Sequence, residues 1–143
     1  MKLKITNSYA LHALMYMVRH STQLPVQLST IAKAEGISLS QLTKIFHILT
    51  EAGFVIKSEN GRSAYNFARP PHELTLLELI ETLEGYKLFD ECFMKHCDCS
   101  GTVENCDIYK CWHDATRVLT KKLAETTIQD AAWRHPEHYF GGK

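Results

Sequence analysis

Two glycine-terminated helical segments in immediate succession restrict the fold of this chain more than any other feature. The first, STIAKAEG, opens on Ser29 and ends on Gly36. That is where a helix C-terminus favours glycine, because the left-handed conformation there costs a residue without Cβ nothing. A few residues later Ser38 or Ser40 is placed to cap a further helix carrying Leu42, Ile45, Phe46 and Leu49 on one face and closing at Gly53. Two short helices across so tight a turn form a helix-turn-helix. The period then switches from helical to extended. Phe54-Val55-Ile56 and Tyr65-Asn66-Phe67 are β-prone runs flanking a loop that contains Asn60-Gly61, which is the pattern of a hairpin. A helix-turn-helix followed at once by a hairpin is a winged helix. The expected fold class is mainly α with a small β-hairpin wing.

The flanking segments complete the outline. A first helix is expected from about Ser8 to His20, with Leu11, Leu14, Met15 and Val18 as its buried stripe and Asn7 or Ser8 as its cap. The segment QLPV reads as a break. After Pro70-Pro71, Thr75 and Glu78 form a capping box heading a helix with Leu76, Leu79, Ile80 and Leu83, which Gly85 stops. A long helix from about Asp107 to Glu125 lines up Ile108, Trp112, Ala115, Leu119 and Leu123. So long a helix outside a compact head needs a partner surface, which predicts a homodimer. The expected organisation is a winged helix-turn-helix over 1–84, a cysteine-rich loop over 85–107, a long dimerisation helix over 108–132 and a tail over 133–143.

At 143 residues and 45% hydrophobic, the chain has enough apolar side chains for one core without disulfide support. No run of 18 apolar residues is present, so no membrane span is expected. The opening MKLKITNSYALHALMYMVRH has two early lysines, but His12 interrupts its apolar stretch and the pattern has helical period; it reads as a folded helix rather than a signal peptide. The expected location is therefore cytoplasmic. The zero net charge conceals a division. Residues 1–70 hold eight Lys/Arg against three Asp/Glu, and residues 71–143 hold eight against thirteen. A basic front and an acidic rear fit a nucleic-acid-facing module followed by a regulatory one.

Within the second helix of the motif, Ser38, Ser40, Gln41 and Lys44 occupy the first two turns outside the apolar stripe. Hydroxyls, an amide and a lysine at a helix N-terminus suit phosphate oxygens and base edges together. The wing adds Lys57, Asn60 and Arg62 for a backbone or minor-groove contact. Winged helices also serve as protein-interaction modules, but the charge division favours DNA.

All five cysteines fall within ECFMKHCDCSGTVENCDIYKCW: Cys92, Cys97, Cys99, Cys106 and Cys111. In a cytoplasmic protein such a cluster points to a metal or to redox work. Cys97-x-Cys99 is too tight for a zinc knuckle, although other pairings stay open. An iron–sulfur cluster also takes several thiolates from one loop and tolerates irregular spacing. A reversible thiol switch is the third reading.

Several stretches together resemble the IscR/NsrR family of bacterial iron–sulfur winged-helix regulators: YALHALMYM, ISLSQLTKIFHILTEAGFV, ARPPHELTLLELIETLEG, Cys92 ahead of a Cys106-x5-Trp112 unit, and TTIQDAA. The resemblance runs over about residues 1 to 132. It implies a homodimer of crossing long helices, a 2Fe–2S or 4Fe–4S cluster between one subunit's loop and the other's first helix, and control of a palindromic operator in double-stranded promoter DNA. Cys92 and Cys106 match the family's first and third cluster cysteines, and the second falls on Cys97 or Cys99. Where IscR-type members place a histidine after the third cysteine, this chain has Tyr109; where nitric-oxide-sensing members have an early acidic residue, it has Ser8. His12, one helical turn after Ser8, is similar to the histidine ligand of a redox-sensing branch that would pair Cys92 with Cys111. His96 and His113 read as surface residues. The family's paired wing glycines are Ser63-Ala64 here.

The expected function is a transcriptional regulator, a repressor, whose cluster senses nitric oxide, redox state or iron–sulfur supply. One alternative keeps DNA binding and makes the cysteines a thiol or zinc switch. The other is a small redox protein that does not bind DNA. Against an enzyme, the chain has no Cys-x2-Cys motif, no glycine-rich nucleotide loop and no evident acid/base pair.

Overall fold

The structure is a computed structural model that describes residues 3–59, 63–85, 89–96 and 98–134. Asn60, Gly61 and Arg62 of the wing, Cys97, and residues 135–143 of the expected tail lie outside the described residues. In chain order the elements are α1 (Ile5–Arg19), β1 (Val26–Gln27), α2 (Leu28–Glu35), α3 (Leu39–Glu51), β2 (Val55–Lys57), β3 (Ala64–Phe67), α4 (Leu76–Glu84), α5 (Asp107–Glu125) and α6 (Ile128–Arg134).

Helix α1 is the centre of the core. Ala10, Ala13, Leu14, Met15, Tyr16, Met17 and Val18 are all buried, more than one stripe provides, because α2, α3, α4 and α6 pack around it. Its start differs from the expected Ser8. The cap position is Lys4, and Asn7 lies inside the first turn, where its amide nitrogen donates to the Lys4 carbonyl (3.0 Å) and to a Glu84 carboxylate oxygen (2.6 Å). A tie to the end of α4 thus takes the place of a side-chain cap.

The helix-turn-helix forms as expected, with Gly36 at φ 67° providing the left-handed turn between α2 and α3. Leu42, Ile45, Phe46 and Leu49 are buried on α3. One cap is the predicted one and one is not. Gln27, not Ser29, precedes α2, whose first backbone N–H (Leu28) donates to the Ser63 carbonyl at 3.1 Å. Ser38 does occupy the cap position of α3, but its hydroxyl pairs with that of Ser40 at 2.9 Å rather than with a backbone amide.

The wing is a three-stranded antiparallel sheet in the order β1-β3-β2, with Val26 opposite Tyr65 and Ile56 opposite Asn66. Strand β1 starts on the last residue of the QLPV segment expected to be only a break; two residues are too few to show an alternation. Thr75 caps α4 by accepting from the Glu78 amide at 3.1 Å, but the Glu78 carboxylate turns away to Arg69.

The long helix expected from about Asp107 to Glu125 forms over those residues as α5, and the remainder of the 108–132 segment separates from it at Thr126-Thr127. There the chain pairs with the lead-in to α4: the Leu76 amide donates to the Thr126 carbonyl (2.9 Å) and the Ile128 amide to the Leu74 carbonyl (2.8 Å). Helix α6 then folds back on α1, where Arg19 Nε donates to the Ala132 carbonyl at 2.8 Å. Trp133 and Arg134, expected in the tail, belong to α6.

Candidate functional site

Ser38, Ser40, Gln41 and Lys44 are all exposed, on the side of α3 opposite its buried residues. No acidic residue sits in the first turn of α3, so its positive dipole end is uncompensated and open to phosphate. Lys57 is exposed on β2. Between α3, the start of α2 and the base of the wing lies a cleft of about 360 Å3 lined by Gln27, Leu28, Ser29, Leu39, Thr43 and Ser63. The polar groups among these were not singled out from sequence. They come from three elements and the loop residue before β3, and no linear spacing joins them.

The cysteine loop leads into α5. Cys92 and Cys106 are half-buried, Cys99 and Cys111 are exposed, and all four are unbridged. One turn decides the arrangement. The Asn105 side-chain oxygen accepts from the Thr102 amide (2.6 Å), and the Cys106 amide donates to the Thr102 carbonyl (3.0 Å), so the chain doubles back. Gly101 sits in the fold of that turn. A Cβ there would lie 3.2 Å from Cys106 Cβ, 3.4 Å from Cys106 Sγ and 3.6 Å from Cys99 Sγ. Both sulfurs therefore flank the space that glycine leaves open, separated by no more than the sum of those last two distances. Cys106 also occupies the cap position of α5, its carbonyl accepting from Lys110 N at 2.9 Å.

Behind the loop Trp112 packs against Phe93 (ring centroids 4.7 Å apart) and edge-on to Phe89 (5.7 Å). Its indole N–H is buried with no acceptor among the described residues. His12 lies on α1, where Nδ1 contacts the Ser8 carbonyl at 2.9 Å, and the two residues line one cleft of about 340 Å3 with Ile5, Tyr9, Glu35, Gly36 and Ile37. Among the described residues no three His, Cys, Asp or Glu side chains converge closely enough to hold a metal ion. Cys99 and Cys106 come together; Cys92, Cys111 and His12 do not complete a site with them inside one chain.

The family described as Rrf2, iron-dependent transcriptional regulator, matches residues 3–133. The chain belongs to the Rrf2 family. It is 25% identical over 130 residues to Protein rrf2 of Nitratidesulfovibrio vulgaris, covering 91% of this chain and 86% of that one. It is 29% identical over 128 residues to the HTH-type transcriptional regulator IscR of Vibrio campbellii, covering 90% and 75%. Its fold is similar to that of T. potens IscR (TM-score 0.72, 22% identity, 97% of this chain and 91% of that one). It is equally similar to CymR, the global cysteine regulator of B. subtilis (TM-score 0.76, 20% identity, 95% and 99%).

Like its Rrf2 relatives, the chain is a DNA-binding transcriptional regulator and not an enzyme. The winged helix expected from sequence is the Rrf2 fold. No helix among the described residues is long and apolar enough to cross a membrane.

Proposed function

We propose that this Rrf2 regulator works in the cytoplasm as a homodimeric repressor whose cysteine loop holds an iron–sulfur cluster, 2Fe–2S or 4Fe–4S, and reports nitric oxide, redox state or iron–sulfur supply. The observation that carries this reading is the meeting of Cys99 and Cys106 around Gly101 at the head of α5. The donor set fits the group. Soft thiolates suit iron–sulfur clusters, Cys92, Cys99, Cys106 and Cys111 are unbridged, and the buried indole N–H of Trp112 beside the loop lacks an acceptor among the described residues. Cys92, Cys99 and Cys106 are the proposed ligands, with Cys97, Cys111 and His12 as the other ligand candidates. When bound, the cluster supplies a centre that changes charge or falls apart on oxidation or nitrosylation.

The chain's own residues would turn that change into a change of DNA affinity. Cys106 is one residue from the first turn of α5, so a shift of the loop moves the helix directly. Thr116 is the one buried residue of α5, while Ile108, Val118 and Leu119 are exposed, which supports pairing with the same helix of a second copy. A shift between paired helices alters the spacing of the two α3 helices, and a palindromic operator demands half-sites about 34 Å or a multiple apart. Ser38, Ser40, Gln41 and Lys44 would meet the major groove, with Lys57, Asn60 and Arg62 of the wing on the backbone or minor groove.

Anaerobic purification with visible absorption, iron and sulfide analysis and native mass spectrometry tests the reading. A coloured dimer with iron and sulfide is expected. A colourless protein holding stoichiometric zinc would overturn it in favour of a zinc switch. Absence of salt-dependent promoter binding in every metal state would favour the redox protein that does not bind DNA.

A further inference from the structure

The geometry points to Cys99 and Cys106 as a peroxide-oxidisable pair that closes an intramolecular disulfide when the loop carries no cluster. This rests on the loop being the iron–sulfur site, and it names what its thiols do once the cluster is gone.

Three observations carry it. Beyond its chain neighbours Ser100 and Thr102, the three atoms nearest to the Cβ position of Gly101 all belong to Cys99 and Cys106, two of them the sulfurs. A Cβ there would lie 3.2 Å from Cys106 Cβ, tight enough that Cys106 would have to give by a few tenths of an ångström, so glycine keeps the approach open. Second, the approach is held by the backbone. The Asn105 oxygen accepts from Thr102 N, the Cys106 amide closes on the Thr102 carbonyl, and Cys99 N donates to the His96 carbonyl at 3.0 Å. Third, the two thiols differ in access: Cys99 is exposed and Cys106 half-buried. Oxidation begins at the exposed thiol and the sheltered neighbour resolves it.

The chemistry balances with hydrogen peroxide as oxidant. The Cys99 thiolate attacks one peroxide oxygen; the O–O bond breaks, leaving a sulfenic acid on Cys99 and releasing one water. The Cys106 thiolate then attacks the Cys99 sulfur. The S–S bond forms, the S–O bond breaks, and the hydroxyl leaves as a second water with the remaining thiol proton. Two electrons pass from two thiols to one peroxide. The bridge removes two cluster ligands at once and fastens the loop at the first turn of α5, and a small dithiol reverses it.

The test uses the full-length dimer, freed of metal by anaerobic chelation, treated with stoichiometric hydrogen peroxide, alkylated and digested after glutamate. Cleavage at Glu91, Glu104 and Glu125 puts Cys99 and Cys106 in separate fragments, 92–104 and 105–125. The expected product is those two fragments joined within one chain, with loss of two hydrogens. It should vanish in Cys99→Ser and Cys106→Ser and persist in Cys92→Ser, Cys97→Ser and Cys111→Ser. In Cys106→Ser the Cys99 sulfenic acid should be trapped by dimedone, and Gly101→Ala should bridge more slowly than the parent. Fully alkylated thiols after peroxide, a link that survives Cys99→Ser, or a link only between subunits would each overturn the inference. Iron and absorbance of the untreated protein are read separately. A cluster without a bridge removes this inference alone, and a bridge in a chain that never holds iron removes the cluster reading alone.

Discussion

Arg69 meets Glu78 through two hydrogen bonds of 2.7 and 3.1 Å, one guanidinium against one carboxylate, and so fastens the exit of the wing to the first turn of α4. A third bond, from Arg69 to the Glu73 carbonyl at 3.3 Å, holds the turn between them. The hydrogen bond to Glu78 is also the main reason the Arg69 pKa is raised further above its ordinary value. Both side chains keep over a third of their surface in water, so their worth is discounted to about 0.5–1 kcal/mol. A double-mutant cycle of Arg69→Met and Glu78→Gln in urea should return that coupling, and added salt should shrink it. A coupling of zero would mean the wing is held by its apolar contacts alone.

Helix α6 is fastened by a reciprocal cap and by two buried residues, Ile128 and Ala132. The Thr127 hydroxyl accepts from the Asp130 amide (3.0 Å), the Asp130 carboxylate accepts from the Thr127 amide (3.3 Å), and Ile128 is fully buried. Thr127→Ala should cost about 1 kcal/mol as a lost cap. Ile128→Ala should cost about 2–5 kcal/mol as a cavity in the core. Chemical denaturation measures both. Equal, small losses would mean that α6 is only loosely docked.

That cap also shows where sequence reading stopped short. Thr127-x-x-Asp130 is a capping signature of the same kind as Thr75-x-x-Glu78; the apolar period of the long helix ends at Glu125, and the assignment of 108–132 to one dimerisation helix passed over the new helix start that this signature marks. The helix-turn-helix was legible because Gly36 and the Leu42, Ile45, Phe46 and Leu49 stripe are local signals. Strand β1 was not, since Val26-Gln27 becomes a strand only by pairing with Tyr65 and Ala64. The exposed set Ser38, Ser40, Gln41 and Lys44 followed from the stripe by subtraction. The approach of Cys99 to Cys106 did not, because it depends on a turn made by the Asn105 side chain, and cysteine spacing carries no trace of that turn.

Lys110 reaches Asp114 at 3.3 Å along the exposed side of α5, and this hydrogen bond is the chief cause of a lowered Asp114 pKa, with a longer contact from His113 adding to it. A carboxylate whose pKa falls on folding stabilises the helix above its unfolded value of about 3.9, and the gain is lost as pH drops through the lowered folded value. Lys110→Met should therefore return the Asp114 titration toward the ordinary carboxylate range in carbon-detected NMR. It should also flatten the acid side of the stability curve. An unmoved Asp114 titration would show the contact is absent in solution.

On α3, Lys44 and Gln41 should separate by the kind of contact each makes. Lys44→Ala is expected to weaken binding to operator and unrelated DNA alike and to lower the salt slope by about one unit. Gln41→Ala should cost about 1–3 kcal/mol on the operator and little elsewhere, since an amide reads base edges. Titrations of operator and scrambled duplex at several salt concentrations measure both. If Gln41→Ala weakened both duplexes equally, it would be a backbone contact instead.

The outer face of α5 decides whether the chain works as a dimer. Val118 is 58% and Ile108 52% exposed in a single chain, on a helix whose other neighbours are mostly charged or polar. An isolated helix draws little stability from propensity alone, so those side chains would be wasted unless a second copy covers them. Val118→Asp would bury a carboxylate in such an interface at a cost of several kcal/mol, roughly 2–5. On a wet helix the same change would cost almost nothing. Sedimentation velocity should therefore show the variant shifting toward monomer at concentrations where the parent is dimeric, with helical content by circular dichroism preserved. Affinity for a single half-site should survive, while affinity for the full palindrome should fall, because one monomer cannot span both halves. If the variant sediments with the parent at every concentration, α5 does not pair through this face.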